Sequence, residues 1–348
     1  ELHKAMEKYE AEGGTIIVMD PRTGAILASV SYPTYNPNHL TDKNVKRLAD
    51  PAVSSVWEPG SIFKVVTYAA GLDAGTITPQ TNFHDKGRLE VGGRIIYNFD
   101  HRRWGNLTLR EALAHSLNTA AAYVSTSLGK KGFYTYVRRF GLGDLTGVDL
   151  AGEVEGMVKL PGDSNWFPSE LGINAFGQGI AVTPLQMVTA AAAIANDGLL
   201  MKPYIVQKRI IPGEPGEAER VVETKPVAVR RAISSEAAST LTGMLVRVVE
   251  DSAFRARVPG YRIAGKTGTA QIPTALGYHK KDTIQSFIGY GPADDPQFII
   301  LVKHNKPKTS PWSSHTAAPT VRAIRERLLV YLQIPPDDIR LAHSQAVP

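Results

Sequence analysis

The chain of 348 residues contains no cysteine, which excludes thiolate catalysis, zinc held by cysteine and a disulfide framework. Long hydrophobic runs are also missing. No apolar segment approaches the roughly 20 residues that a membrane-spanning helix needs, and no signal peptide is visible. The net charge is +6, but the basic residues are scattered along the chain. We therefore interpret this surplus as a surface bias and do not predict a nucleic-acid site.

The composition of the chain is typical of a folded protein. We interpret residues 1–348 as one domain. Hydrophobic residues make up 43% and charged residues 21%, values that argue against disorder. Strand-like segments occur near both ends, with mainly helical patterns between them. We predict an α+β fold with one antiparallel sheet and flanking helices, built from residues 13–58 and 260–334. A mainly helical part, residues 59–259, is inserted in the middle.

Local signals give more detailed expectations. The segment from Leu109 to Leu128 predicts one buried helix, which Thr108 and Glu111 begin as a capping box. Short strands are predicted on both sides of a turn at 212–216. The residues after about 332 are predicted to form a poorly ordered tail.

The first candidate site is Ser61 with Lys64. Pro59 and Gly60 break the structure before Ser61, and an apolar run follows, so Ser61 is predicted in the first turn of a buried helix. Lys64 lies three residues later on the same face. A lysine whose pKa is lowered by burial can take the serine proton and create a nucleophile. The alternative is a capping serine and a lysine that reaches the surface.

The second candidate is the pair Ser116 and Asn118, a hydroxyl and an amide two residues apart in an alanine-rich segment. Buried polar side chains need partners, and one arrangement directs both towards Ser61 and Lys64. Ser116 would then relay a proton to the leaving amine, while Asn118 holds the substrate amide and Lys64. Two ordinary polar residues on a helix surface are the alternative. His115 is interpreted as structural.

The third candidate is the strand-like run that contains Lys266, Thr267, Gly268 and Thr269. A strand edge offers backbone donors and acceptors to an extended peptide. Lys266 adds a positive charge, the threonine hydroxyls can bind a carboxylate, and Gly268 allows close approach to the backbone. A strand with a few polar positions is the alternative.

Together, the three segments match the ordered Ser-x-x-Lys, Ser-x-Asn and Lys-Thr-Gly motifs of the penicillin-recognising enzymes. The resemblance covers roughly residues 13–334. The segment 20–28 is similar to the opening hairpin of class B penicillin-binding proteins, and the segments 176–186 and 195–198 resemble the region before the third motif. The chain looks like the catalytic domain of a division- or sporulation-type member. Leu117 stands where class B members commonly have a second serine.

The resemblance implies acyl transfer. Ser61 would attack the penultimate D-Ala of a peptidoglycan stem pentapeptide, release the terminal D-Ala and pass the acyl group to an amine of another stem; β-lactams would acylate the same serine. Catalytic roles are implied for Ser61, Lys64, Ser116, Asn118 and Lys266. The implied oxyanion-hole donors are the backbone N–H groups of Ser61 and Thr269. Substrate binding is implied for Lys266, Thr267, Gly268 and Thr269. No metal and no cofactor is implied.

The same resemblance gives expectations for the cellular setting. It implies activity at the extracytoplasmic face of the bacterial cytoplasmic membrane, with an anchor and a non-catalytic pedestal upstream of Glu1. Cell-wall synthesis or division machinery would be the protein partners, with no nucleic acid. A glycosyltransferase domain is not expected, because the transpeptidase resemblance accounts for nearly the whole chain.

Three alternatives remain for the activity. A D,D-carboxypeptidase would hydrolyse the same acyl-enzyme, and a β-lactam-binding sensor would not turn over. In the third, a β-lactamase, Glu170 of the Glu-x-x-x-Asn pattern ending at Asn174 would activate water. The segment that follows, from Phe176 to Gly179, resembles penicillin-binding proteins and so favours the transpeptidase.

Overall fold

The computed structural model describes residues 1–42, 45–213, 218–274 and 277–346. The helices are α1 (Leu2–Tyr9), α2 (Pro51–Ser54), α3 (Lys64–Asp73), α4 (Leu109–Ala114), α5 (Asn118–Arg139), α6 (Glu170–Asn174), α7 (Pro184–Ala195), α8 (Ser235–Asp251), α9 (Ala317–Tyr331) and α10 (Asp337–Ala346). The strands are β1 (Gly13–Met19), β2 (Ile26–Tyr32), β3 (Asn82–Asp85), β4 (Arg88–Val91), β5 (Arg94–Tyr97), β6 (Gly105–Thr108), β7 (Leu199–Met201), β8 (Lys208–Ile211), β9 (Arg220–Glu223), β10 (Ala228–Arg231), β11 (Ala264–Thr274), β12 (Gly277–Gly291) and β13 (Phe298–Asn305). None of the described helices is long and apolar enough to cross a bilayer.

The central sheet has five antiparallel strands in the order β11-β12-β13-β1-β2, so it joins the two ends of the chain. The predicted α+β fold is confirmed. Helices cover both faces of the sheet, which is why β1 is buried along its whole length and reads as a continuous apolar run. Successive side chains of β13 enter opposite cores: Ile299 and Leu301 pack into one, and Ile300 and Val302 into the other.

The two cores consist of different helices. α1 and α9 pack on the face that contains Ile300, and α3, α7 and α8 belong to the larger core on the opposite face. β11 forms one edge of the sheet, and the 3₁₀ turn Gly60–Phe63 at the start of α3 packs directly against it. The cleft described below lies along this contact, between the sheet edge and the inserted part of the chain.

The inserted part differs from the prediction: its described residues include eight short strands paired as four two-stranded sheets, β3 with β6, β4 with β5, β7 with β10, and β8 with β9. The prediction of a mainly helical region between residues 60 and 200 therefore missed the strands β3 to β6. All four segments are short, and β3, β4 and β5 contain charged residues, so they give little apolar periodicity. The predicted strands around 205–233 are confirmed, while the predicted turn at 212–216 lies partly outside the described residues.

Two further local predictions are wrong. The single helix predicted from Leu109 to Leu128 is divided into α4 and α5, with a break at residues 115–117. The poorly ordered tail instead contains α10. Its Arg340 donates to Asp294 at 2.7 Å and to Asp337 at 2.6 Å, so ion pairs hold the first turn of this helix against the body of the protein.

Candidate active site

Ser61 lies in the 3₁₀ turn that precedes α3, one step before the α-helix proper. Its neighbours Ile62 and Phe63 are fully buried, whereas Ser61 lines a cavity of about 330 Å³. The preceding Gly60 has a φ of 58° and donates its N–H to the Gly177 carbonyl at 3.0 Å. The packing here is tight, since a Cβ on Gly177 would lie 2.3 Å from the Gly60 carbonyl oxygen. The sequence segment that begins at Phe176 thus fixes the turn that presents Ser61.

Lys64 is completely buried, and three hydrogen-bond acceptors surround its Nζ atom. Nζ donates to the Ser116 carbonyl at 2.5 Å, to Asn118 Oδ1 at 2.9 Å and to Ser116 Oγ at 3.2 Å. Within the described residues, no hydrogen bond joins Lys64 Nζ directly to Ser61 Oγ. The structure therefore brings together the first and second candidate pairs, with Lys64 as the link between them.

Ser116 occupies the break between α4 and α5 and has a φ of 58°. Left-handed backbone is unfavourable for a residue with a side chain, but here it ends α4 and turns the chain. In one continuous helix, the Ser116 carbonyl would accept from the N–H four residues later. The break frees this carbonyl, so that both it and the hydroxyl face Lys64.

A buried polar network holds the beginning of α5. Asn98 Oδ1 accepts from the backbone N–H of Asn118 at 3.0 Å and from that of Thr119 at 3.3 Å, which caps the helix in place of Leu117. Asn98 Nδ2 in turn donates to Asp85 Oδ2 at 2.9 Å. Asp85, only 1% exposed, also accepts from Thr119 Oγ1 at 2.8 Å and from two backbone N–H groups, those of Gly87 and Trp104.

Sequence reasoning missed Asp85 and Asn98. They lie far from Asn118 in the chain, and neither belongs to a motif with a known spacing. A buried carboxylate with this many donors organises the second candidate pair from behind the cleft.

Lys266 extends from β11 into the same centre. It is 1% exposed, and its Nζ donates to Ser116 Oγ at 2.9 Å and to the Thr267 carbonyl at 3.1 Å. Ser116 Oγ thus accepts from both lysines. The third candidate segment, which contains Lys266, is therefore linked to the other two through the hydroxyl of Ser116. Among the described residues, no carboxylate lies within ion-pair distance of either lysine amine.

Burial changes the protonation of both lysines. It lowers the pKa of Lys266 to about 7. Burial, followed by the nearby charge of Lys266, lowers the pKa of Lys64 well below its usual value of 10.5. Two ammonium groups around one hydroxyl repel each other and lack anionic partners. The centre can therefore hold an unprotonated amine at neutral pH, as a proton acceptor for a serine must be.

The remainder of the β11 motif forms the wall opposite Ser116. Thr267 and Thr269 line the cavity together with Ser61, and Thr269 Oγ1 donates to Ser313 Oγ at 3.1 Å. A Cβ on Gly268 would lie 2.6 Å from Ser286 Oγ and 2.8 Å from Ile62 Cγ2, so glycine is needed where the strand meets the Ser61 turn. The oxyanion-hole role of the Ser61 and Thr269 backbone N–H groups stays a prediction.

The two other residues singled out in the sequence have ordinary structural partners. Glu170 accepts from Lys159 Nζ at 2.7 Å and does not line the cavity of Ser61. This ion pair argues against its activating a deacylating water. His115 does line the cavity, but its ring stacks on Trp104 with centroids 3.8 Å apart.

Comparisons with known proteins find relatives along almost the whole chain. A family model described as the penicillin binding protein transpeptidase domain matches residues 14–326. Stage V sporulation protein D of Bacillus subtilis is 36% identical over 341 residues, which are 97% of this chain and 52% of that protein. A peptidoglycan D,D-transpeptidase FtsI homolog of Mesostigma viride is 28% identical over 365 residues, which are 98% of this chain and 60% of the relative.

A solved structure is similar over the same range. Penicillin-binding protein 3 of Mycobacterium tuberculosis, crystallised in complex with aztreonam, has a TM-score of 0.87 and 30% sequence identity to this chain. The match covers 96% of this chain and 76% of that one. The chain spans only about half to three fifths of the length of the two curated relatives.

Proposed function

Since the chain belongs to the penicillin-binding protein transpeptidase family, with class B relatives, we propose that it crosslinks peptidoglycan by acyl transfer through Ser61. The observation that carries the proposal is the convergence of Lys64 and Lys266 on Ser116 Oγ, beside the turn that presents Ser61 to the cavity. Such a centre activates a hydroxyl and protonates a leaving amine without a carboxylate or a metal-bound water.

In the first half-reaction, the Ser61 oxygen bonds to the penultimate D-Ala carbonyl carbon, and the neutral Lys64 amine accepts the Ser61 proton. The backbone N–H groups of Ser61 and Thr269 stabilise the charge on the carbonyl oxygen. The C–N bond then breaks, and Ser116 donates a proton to the departing D-Ala nitrogen and is reprotonated by the adjacent ammonium. Hydrogen bonds between nucleophile and base often form only when substrate is bound, so their absence in the free protein is compatible with this role.

In the second half-reaction, an amine of another stem attacks the Ser61 ester. The amine loses a proton to the Lys64–Ser116 pair, and Ser61 regains one as it leaves. Before acylation, Lys266 and the hydroxyls of Thr267 and Thr269 bind the terminal carboxylate of the donor. The edge strand β11 binds its backbone.

The proposal extends to inhibitors and to the cellular setting. A β-lactam resembles the acyl-D-Ala-D-Ala terminus, and the Mycobacterium tuberculosis relative was crystallised with one. We expect the same class of compound to acylate Ser61 here. We also propose that the protein acts on the outer side of the cytoplasmic membrane, that a membrane anchor lies upstream of this domain, and that its partners belong to the cell-wall synthesis or division machinery.

Labelling with a fluorescent penicillin tests the nucleophile. We expect a covalent band with the wild type, none with Ser61→Ala, and an unchanged band with Ser127→Ala, a matched change on an exposed residue of α5. Wild-type protein that folds but takes no label would contradict the proposal.

Stem-peptide donors then separate the possible fates of the acyl group. Incubation with and without an acceptor amine should give a crosslinked product only with the acceptor. Release of D-Ala without any crosslinked product would instead indicate a carboxypeptidase. Labelling without turnover of any donor would indicate a sensor.

A further inference from the structure

A second cavity, of about 350 Å³, continues from the cavity of Ser61 along the β4–β5 hairpin; we call it the annex. Six residues line both cavities: Asn98, Phe99, Asn118, Phe176, Gln178 and Gln271. Asn118 lies at the start of α5 and Gln271 on β11, so the shared lining comes from both sides of the cleft. The two cavities therefore adjoin at these six residues, and the annex extends the cleft away from Ser61.

The charge of the annex is one-sided. Its lining contains Arg94 and His101 but no aspartate or glutamate, and the amides of Asn98, Asn118, Gln178 and Gln271 supply the remaining polar groups. Arg94 is exposed, and no carboxylate of the described residues lies within ion-pair distance of its guanidinium. Burial, followed by the charge of Glu58 and its hydrogen bond, raises the pKa of Tyr278 on β12, and the charge of Arg94 opposes this rise. Arg94, on β5, is therefore near enough to β12 for its charge to act on that strand.

We propose that the annex binds a free carboxylate of the donor stem, upstream of the D-Ala that is acylated, and that Arg94 recognises it. This inference rests on the proposed function of the same cleft. With the penultimate D-Ala at Ser61, the preceding stem residues must follow the cleft, and an extended peptide advances about 3.3 Å per residue. A guanidinium that none of the described carboxylates pairs with, in a cavity whose described lining contains no acid, matches a carboxylate in shape and charge.

Two carboxylates of a stem have this chemistry: that of a γ-linked glutamate at its second position, and that of a diamino diacid at its third. The test uses four synthetic pentapeptide donors, with neither, one, the other or both of these carboxylates amidated. D-Ala release is measured as kcat/KM for the wild type, Arg94→Gln, Arg94→Lys and Arg88→Gln. Arg88 is a matched control, because it is exposed on the same hairpin and lines neither cavity.

We expect amidation of one carboxylate to lower the wild-type kcat/KM about 5- to 20-fold, which identifies the carboxylate that is recognised. Arg94→Gln should turn over all four donors at nearly the rate of the amidated donor. Arg94→Lys should keep part of the discrimination, because an ammonium pairs with a carboxylate as a point charge. Arg88→Gln should behave as the wild type.

The inference is overturned if the four donors react alike with the wild type, or if Arg94→Gln keeps the full preference. In both cases D-Ala release and penicillin labelling of Ser61 would continue, so the proposed function would stand. Failure of every donor together with failure of labelling would overturn both. Thermal melting of each variant checks the fold, and Arg94 is exposed, so little change in melting temperature is expected.

Discussion

Lys266, Thr267 and Thr269 lie on β11, whose backbone pairs with β12 from Ala264 to Thr274. Across the cleft, Ser116 and Asn118 lie at a helix break, where backbone pairing stops. We call the first side the sheet wall and the second, together with Lys64, the helical wall. The sheet wall is held mainly by a ladder of backbone hydrogen bonds. The helical wall depends on side chains, chiefly the network of Asp85 and Asn98.

The difference has consequences for how the two walls respond to change. A backbone ladder does not depend on which side chains the strand carries, so the sheet wall should tolerate truncation. In the helical wall, loss of one side chain leaves several buried donors without partners. The two walls meet at Ser116 Oγ, which accepts one hydrogen bond from Lys64 of the helical wall and one from Lys266 of the sheet wall. Its geometry is therefore only as stable as the helical wall.

The largest effect is predicted for Lys266→Met, which removes a buried cation from the sheet wall. In the unfolded chain lysine keeps its proton up to about pH 10.5, whereas burial lowers the native pKa of Lys266 to about 7. The unfolded state therefore binds more protons between these values, so the free energy of unfolding of the wild type should rise with pH. Between pH 7 and 9.5 Lys266 should contribute up to about 3.5 kcal/mol to this rise, and Lys266→Met should lack it.

Chemical denaturation from pH 6 to 9.5 measures this difference. Lys303→Met is the matched control, because Lys303 is buried in the same sheet and burial lowers its pKa to about 8. Its contribution should begin about one pH unit higher. A Lys266→Met protein that is less stable than the wild type at pH 6 would show that the sheet wall needs this side chain, and the comparison of the walls would fail.

The second prediction tests the helical wall with Asp85→Ala. The change leaves two buried backbone N–H groups, those of Gly87 and Trp104, without their acceptor and removes one acceptor each from Asn98 and Thr119, so we expect a loss of about 3 kcal/mol in the free energy of unfolding. Acylation by penicillin should also slow by about tenfold or more, because Asn118 loses its fixed position. Urea unfolding and a time course of fluorescent-penicillin labelling measure the two effects.

Ser286→Ala is the counterpart in the sheet wall. Ser286 is also buried, but its hydroxyl makes one long contact, 3.5 Å to the Gly268 carbonyl. A loss of no more than about 1 kcal/mol is expected, with acylation almost unchanged. Equal losses for the two variants would mean that both walls depend on side chains to the same degree.

The sheet wall was predictable from the sequence because its signals are local. β11 appears as a strand-like run, and the pairing of both chain ends follows from strand segments at each terminus. Residues Lys266 to Thr269 are consecutive, so their motif can be recognised without knowledge of contacts to other parts of the chain. The structure places Thr267 and Thr269 of this motif in the cavity of Ser61.

The helical wall could be predicted only in part. The capping box of Thr108 and Glu111 was predicted, and so was an arrangement in which Ser116 and Asn118 face Lys64. The break between α4 and α5 was not, since no glycine or proline marks it and Ser116 takes up left-handed backbone instead. The partners that hold the break, Asp85 and Asn98, come from other strands and loops, and one sequence gives no signal for contacts of that range.

The smallest effect concerns the strain at Ser116. Both Ser116→Ala and Ser116→Gly remove the hydroxyl, so both should lose acylation to a similar degree. Their stabilities should differ, because glycine adopts a φ of 58° without the cost that alanine pays. We expect Ser116→Gly to be about 1 kcal/mol more stable than Ser116→Ala in urea unfolding. At Ser127, an exposed helical position of α5 two residues before the kink at Gly129, the order should reverse, because alanine favours helical backbone by up to about 1 kcal/mol over glycine. The same order at both positions would show that the break carries no backbone strain, and that side-chain hydrogen bonds alone set the helical wall apart from the sheet wall.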